Sequence, residues 1–210
     1  MNNTYRHANV PYRSQWASPE LNERIVNGSI DPCDDPMWTL SGFSSATEYR
    51  FWARRICGIA CLESILDFLS IPHGTRYEMV REALSFGAYI RHDDNSVTGL
   101  IYRPFCDWVR ARYQLDVDVY EHTPLSNVAK AISPSCMAFA SVSSEIRNPT
   151  TPNARKGGHL ILIHGTDPEN ILFHNPSGVP PYQANVSLRI KEAERFFARR
   201  GMFVSIPSGS

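Results

Sequence analysis

Cys57, His159 and Asn175 are the residues of this 210-residue chain whose types and order could break an acyl bond. Cys57 stands in Ile56-Cys57-Gly58-Ile59-Ala60-Cys61-Leu62, where a loop passes into an apolar, helix-periodic segment. The first turn of a helix has unpaired N–H groups and the positive end of the helix dipole. A thiol placed there is drawn toward thiolate, the form that attacks a carbonyl carbon. Far downstream, Gly157-Gly158-His159-Leu160-Ile161-Leu162 puts a histidine at the head of a buried-strand pattern. Asn175, in Phe173-His174-Asn175-Pro176-Ser177-Gly178, closes another short strand. Nucleophile, base and orienter follow one another in that order.

With Gln15 added, the constellation resembles a known family. Val10-Pro11-Tyr12-Arg13-Ser14-Gln15, Cys57-Gly58, Gly158-His159 and Asn175-Pro176 resemble, in order, four short motifs. They are those of the papain-like peptidases typified by the bacteriocin-processing (double-glycine leader, peptidase family 39) peptidases of export transporters, and of their stand-alone relatives. The resemblance runs from about Val10 to the C-terminus and departs from the family twice: the segment between Gln15 and Cys57 is longer, and the third member is Asn where Asp is commoner. It implies a papain-like fold, a Cys57–His159–Asn175 triad, and Gln15 as an oxyanion donor beside the nucleophile's own N–H. It further implies that His159 holds Cys57 as a thiolate.

Each residue also has a plainer reading. A cysteine on a helix is more often core packing. Cys61, one turn after Cys57, could share a metal with it, but no second compact Cys/His pair completes a zinc site, so no metal or cofactor is expected. Cys33, Cys106 and Cys136 give no catalytic signal. His164 falls on the opposite strand face from His159, and His174 should point away from Asn175. Asp167, also followed by Pro, is the rival orienter; 165–170 looks like a hairpin turn, which favours Asn175. Gly157 and Gly158 lack side chains and would let a substrate backbone approach His159.

The elements that must position these groups follow from periodicity. A capped turn at 44–48 leads to Cys57. Helices are expected from Cys57 to Ile71-Pro72, around Tyr77, Val80 and Leu84 up to Gly87, within 98–112 where Pro104 limits the start, and over 124–132. Strands are expected at 115–119, 136–142, 159–164, 170–174, 182–186 and 202–206, with a last helix over 188–200. Helices first and strands later is the α+β order, with N-terminal helices packed on an antiparallel sheet. One domain over 10–210 is expected, with 1–9 flexible and an elaborated 16–56 segment. Trp38, Phe43 and Tyr49, anchored between Gln15 and Cys57, are expected to wall the substrate cleft.

Composition narrows the function. Twenty-one basic and 21 acidic residues cancel, leaving no footprint for nucleic acid or an anionic membrane. No apolar run approaches a membrane span, and the N-terminus lacks a signal-peptide core. Five irregularly spaced cysteines suit a reduced, cytoplasmic protein. The expectation is an acyl-transfer enzyme acting through an acyl-enzyme at Cys57 on a peptide or small-molecule acyl substrate. A peptidase or amidohydrolase comes first, an acyltransferase or condensing enzyme using an amine acceptor second, and an inert peptide-binding module third.

Overall fold

The computed structural model describes residues 4–207. Helices dominate the first half and strands the second. After β1 (Tyr5–Arg6) come α1 (Asn22–Val26), α2 (Ala46–Ala53), α3 (Cys57–Phe68), α4 (Arg76–Ser85), a hairpin of β2 (Tyr89–Arg91) and β3 (Val97–Gly99), and α5 (Tyr102–Tyr113). Then follow β4 (Val117–Tyr120), α6 (Leu125–Ala131), β5 (Cys136–Val142), β6 (His159–Thr166), β7 (Asn170–His174), β8 (Val186–Arg189), α7 (Ile190–Ala193) and β9 (Phe197–Ser205).

The main sheet runs β4-β9-β5-β6-β7-β8, every pair antiparallel, with β1 taking up the far end of β6. Both of its faces are covered. Met137, Phe139, Leu160 and Leu162 meet the core formed with α2 to α5. Ala138, Ala140, Ile161 and Ile163 meet Leu125, Val128 and Phe196 on the other side. Alternate residues thus enter different cores, which is why β5 and β6 are nearly continuous apolar runs rather than half-polar ones.

Helix α3 is the central helix. Residues 58–66 are all buried, and each of Ile59, Leu62, Ile65 and Leu66 contributes ~1.5–3 kcal/mol by leaving water. Ser70, at φ 55°, turns the chain out of the helix before Ile71-Pro72. A buried carboxylate, Glu63, is held by Arg76 of α4, whose Nε lies 3.0 and 2.9 Å from its two oxygens. The same guanidinium donates to the Ser14 carbonyl at 2.6 Å, fixing the chain just before Gln15 against α3 and α4.

Several expectations are corrected. Tyr5 and Arg6 pair with Thr166 and Gly165, and His7 is buried, so the chain is tied down from β1 onward; the expected flexibility of residues 1–3 lies outside the described residues. The expected helix over 188–200 is a single turn, α7, between β8 and β9, and the strand expected at 182–186 lies at Val186–Arg189 instead. Pro104 is accommodated inside α5 because it occupies the first turn, where its missing N–H is no loss.

Candidate active site

Cys57 is the first residue of α3. The residue before it, Ile56, supplies no side-chain cap, so the first-turn N–H groups stay available. Helix α3 packs on the start of β6, where the Cys61 thiol reaches the Leu160 carbonyl at 3.8 Å. That contact brings Cys57, one turn earlier, to the end of β6 where His159 begins.

Strand pairing brings the remaining groups to the same place. Leu162 of β6 faces His174 of β7. Three residues back along β6 is His159, and three residues on from His174 is Ser177, so the exit of β7 passes the histidine. Asn175 accepts a hydrogen bond from His159: Oδ1 lies 2.8 Å from Nε2. The Ser177 N–H donates to that same oxygen at 3.3 Å, which fixes which way the amide points. With the Nε2 proton directed to Asn175, Nδ1 is the lone-pair nitrogen. Nδ1 makes no hydrogen bond among the described residues, and His159 and Cys57 line one cavity of about 370 Å³. No hydrogen bond joins Cys57 Sγ to the ring.

Gln15 lines this cavity too. One N–H of its side-chain amide is spent on the Ala53 carbonyl at 2.9 Å, and its backbone N–H donates to the Pro176 carbonyl at 2.9 Å. The strand-like approach of the N-terminal segment is therefore stitched to the turn that carries Asn175. Gly158, at φ 93°, lies open beside His159, with nothing within 4 Å of where a Cβ would stand. Gly157, at φ 78°, is buried behind it, and a Cβ there would stand 3.0 Å from that of Ala198.

Burial dominates the electrostatics. It pushes the Cys57 thiol above its ordinary value, against the N–H groups of Leu160, Gly58 and Cys57 and the charge of Arg147, all of which favour thiolate. Burial, then Arg147, drives His159 down to about 3. Burial thus works against the charged form of each group, while the surrounding N–H groups and Arg147 favour the thiolate. A neutral His159 is an available base.

The aromatic wall is also corrected. Trp38, Phe43 and Tyr49 do not line the cavity. Tyr49 is wholly buried and donates to Asp35 Oδ2 at 2.6 Å while accepting from the Ala17 N–H at 2.8 Å. Phe43 packs edge-on against Tyr77, and Trp38 is half-buried against the same core. The long segment reaches the cavity only through its last residues, Arg54 and Arg55.

His164 and His174 stack on each other with ring centroids 4.4 Å apart, and neither lines the cavity. His174 donates from Nε2 to the Val10 carbonyl at 2.9 Å and accepts the Asn185 N–H at Nδ1. Asp167 is occupied in its hairpin turn, accepting from the N–H groups of Glu169 and Asn170.

Two neighbours of His159 escaped the sequence reading. Arg147, in the turn after β5, donates from Nη2 to Ser177 Oγ at 2.6 Å, and that hydroxyl lies 3.1 Å from His159 Nε2. Ser177 had a signal, its place two residues after Asn175; Arg147 had none. It arrives because Val142 of β5 pairs with His159. Among the described residues no cluster of three or more His, Cys, Asp or Glu could hold a metal ion, and no helix is long and apolar enough to cross a membrane.

No family model matches the sequence, and no curated protein matches it. Among the solved structures similar to it are the following two. One is a double glycine motif protease from an AMS/PCAT transporter in complex with the leader peptide, at 16% identity and a TM-score of 0.46, over 71% of this chain and 83% of that one. The other is a Bacillus anthracis protein of C39-like peptidase type, at 9% identity and a TM-score of 0.47, over 99% of this chain and all of the other.

Proposed function

We propose that this protein is a cysteine-nucleophile acyl-transfer enzyme of papain-like architecture, acting first of all as a peptidase or amidohydrolase. The observation that carries this reading is the 2.8 Å contact between His159 Nε2 and Asn175 Oδ1, which leaves Nδ1 as a base in the cavity that Cys57 and Gln15 share.

The chemistry follows from these groups. His159 Nδ1 takes the thiol proton as Cys57 Sγ attacks the carbonyl carbon. The Cys57 N–H and the remaining N–H of the Gln15 amide donate to the oxyanion; losing one such donor costs ~10²–10³ in turnover. The imidazolium is steadied by Asn175 and gives its proton to the leaving amine. An acyl-enzyme remains at Cys57, and His159 then activates the acceptor. Gly158, having no side chain, leaves room for the substrate backbone.

The test is intact-mass analysis after incubation with peptide, amide and thioester substrates, with and without added amines. A mass increase equal to the acyl group, absent in Cys57→Ala and discharged to free acid, supports hydrolysis; discharge to an amide supports transfer. A protein that binds these substrates and never acquires the mass is a binding module.

A further inference from the structure

The cavity that holds Cys57 is lined by Arg54, Arg55, Arg147 and Arg200, and by no Asp or Glu. In a chain whose formal charge is zero, that is a local excess of positive charge. Only Arg54 has a carboxylate nearby, Asp31 at 3.9 Å, which it shares with Arg50. Arg55 lies over the Phe51 ring at 4.2 Å and donates to the Phe51 carbonyl. Arg147 donates to Ser177 and to its carbonyl. Arg55, Arg147 and Arg200 have no ion-pair partner among the described residues, whereas Arg13, Arg76, Arg112 and Arg199 each find a carboxylate.

The three guanidinium groups without a carboxylate partner come from three parts of the chain: the α2–α3 connection, the turn after β5, and β9. The start of α3 adds a further positive dipole end. Cations gathered in a concave, partly desolvated site repel one another unless something negative joins them, and such a site concentrates anions. Guanidinium forks suit planar or tetrahedral oxyanions.

We infer that the substrate carries an oxyanion, a carboxylate or a phosphoryl group, close to the scissile carbonyl, and that Arg55, Arg147 and Arg200 hold it. This rests on the proposed nucleophile and deepens it by naming the substrate class. The net-neutral chain thereby acts on an acidic acyl compound or a peptide acidic beside the cleaved bond.

Two alkylating reagents that differ in charge separate this inference from the nucleophile reading. The Cys57 sulfur displaces iodide from iodoacetate or iodoacetamide, forming one S–C bond as one C–I bond breaks. Rate constants at Cys57 are read by peptide mapping and compared with those of N-acetylcysteinamide under the same low-salt conditions. The iodoacetate-to-iodoacetamide ratio at Cys57 is expected to exceed that of the small thiol by about tenfold or more, within the range of electrostatic focusing, and to fall with added salt.

Arg55→Gln and Arg200→Gln should each lower the ratio several-fold, and Arg200→Glu should lower it further. Arg200 is exposed and Arg55 half-buried, so these variants keep the inference testable even if Arg147→Gln does not fold. Succinate or inorganic phosphate should protect Cys57 from iodoacetamide where succinamide does not; the effective one names the oxyanion. A ratio no higher than that of the small thiol, or protection by neither anion, overturns the inference while leaving the nucleophile intact. Failure of Cys57 to react with iodoacetamide at all, with the other cysteines labelled, overturns both.

Discussion

Arg147 and His159 share one hydroxyl: Ser177 Oγ accepts from Arg147 Nη2 at 2.6 Å and lies 3.1 Å from His159 Nε2. A cation is thereby held one hydroxyl away from the imidazole, on the side where Asn175 also binds. Its charge disfavours imidazolium and favours thiolate, so it acts on the two partners in opposite senses.

The pH dependence of alkylation at Cys57 follows from that charge. Because burial raises the thiol above its ordinary value, the rate with iodoacetamide should keep rising into the alkaline range rather than level off near neutrality. Arg147→Gln removes a group that favours thiolate, so its profile should move to higher pH. An unchanged or acid-shifted profile would count against the contact.

Among the five cysteines, Cys57 should label first. Cys106 and Cys136 are each pushed up to about 11 by burial, and Cys61 is fully buried. Cys33 is the accessible rival, raised by partial burial and by Asp31 beside it. Timed alkylation and peptide mapping decide the order; Cys33 ahead of Cys57 would remove the nucleophile.

Asn175→Ala and Asp167→Ala should separate the two candidate orienters. His159→Ala should cost ~10²–10⁴ in turnover, the usual range for a positioned base. Asn175→Ala should cost a substantial part of that, and Asp167→Ala should leave turnover within about twofold, since Asp167 serves only its hairpin. Turnover is measured on the substrate found by mass analysis, with melting temperature as the control for folding.

Breaking the Glu63–Arg76 pair should destabilise more than removing it whole. Arg76→Met leaves a buried carboxylate unpaired and should cost about 3–5 kcal/mol, whereas Glu63→Leu with Arg76→Met should recover most of it. Urea denaturation checks the order. The single variant also frees the Ser14 carbonyl, so turnover should fall through a displaced Gln15.

Acid should unfold the protein through its buried histidines. His159 and His164 are both held down to about 3, His164 by burial and by the nearby His174, Arg6 and His7. Their folded values lie below the ordinary 6.5, so the unfolded chain binds more protons as pH drops. The stability they contribute is complete above 6.5 and is lost on acidification toward 3, by up to about 1.4 kcal/mol per pH unit for each. His164→Phe should flatten the fall in urea midpoint between pH 7 and pH 4.5. A variant as acid-sensitive as the wild type would mean that His164 does not titrate with unfolding.

What the sequence made legible was local. The apolar spacing through Cys61, Leu62, Ile65 and Leu66 defines α3, and β5 to β7 follow from uninterrupted apolar runs with turn residues between them. The 188–200 segment misled because Ile190, Ala193 and Phe197 mimic a helical face. Phe197 instead opens β9, which pairs with both β4 and β5, and two long-range ladders outweigh a weak local preference. The β2–β3 hairpin was hidden because its turn rests on Asp94 accepting the Ser96 N–H and on Asn95 at φ 62°. Trp38, Phe43 and Tyr49 were misplaced because nearness along the chain to Cys57 says nothing about which side of α2 faces the cavity. Arg147 and Arg200 reach the cavity that Cys57 lines only through strand pairing, so no spacing in the chain announces them.

The position of β9 between β4 and β5 bears on the order in which the sheet can be completed. As the last strand among the described residues, it leaves a gap in the middle of the sheet until it is made. A nascent chain still lacking residues 197–205 has Gln15, Cys57, His159 and Asn175 already synthesised, with one flank of β5 unpaired along its length. Contacts this distant in sequence close late. The strand pairing that sets Cys57, His159 and Asn175 around one cavity is therefore complete only after residues 197–205 have joined the sheet.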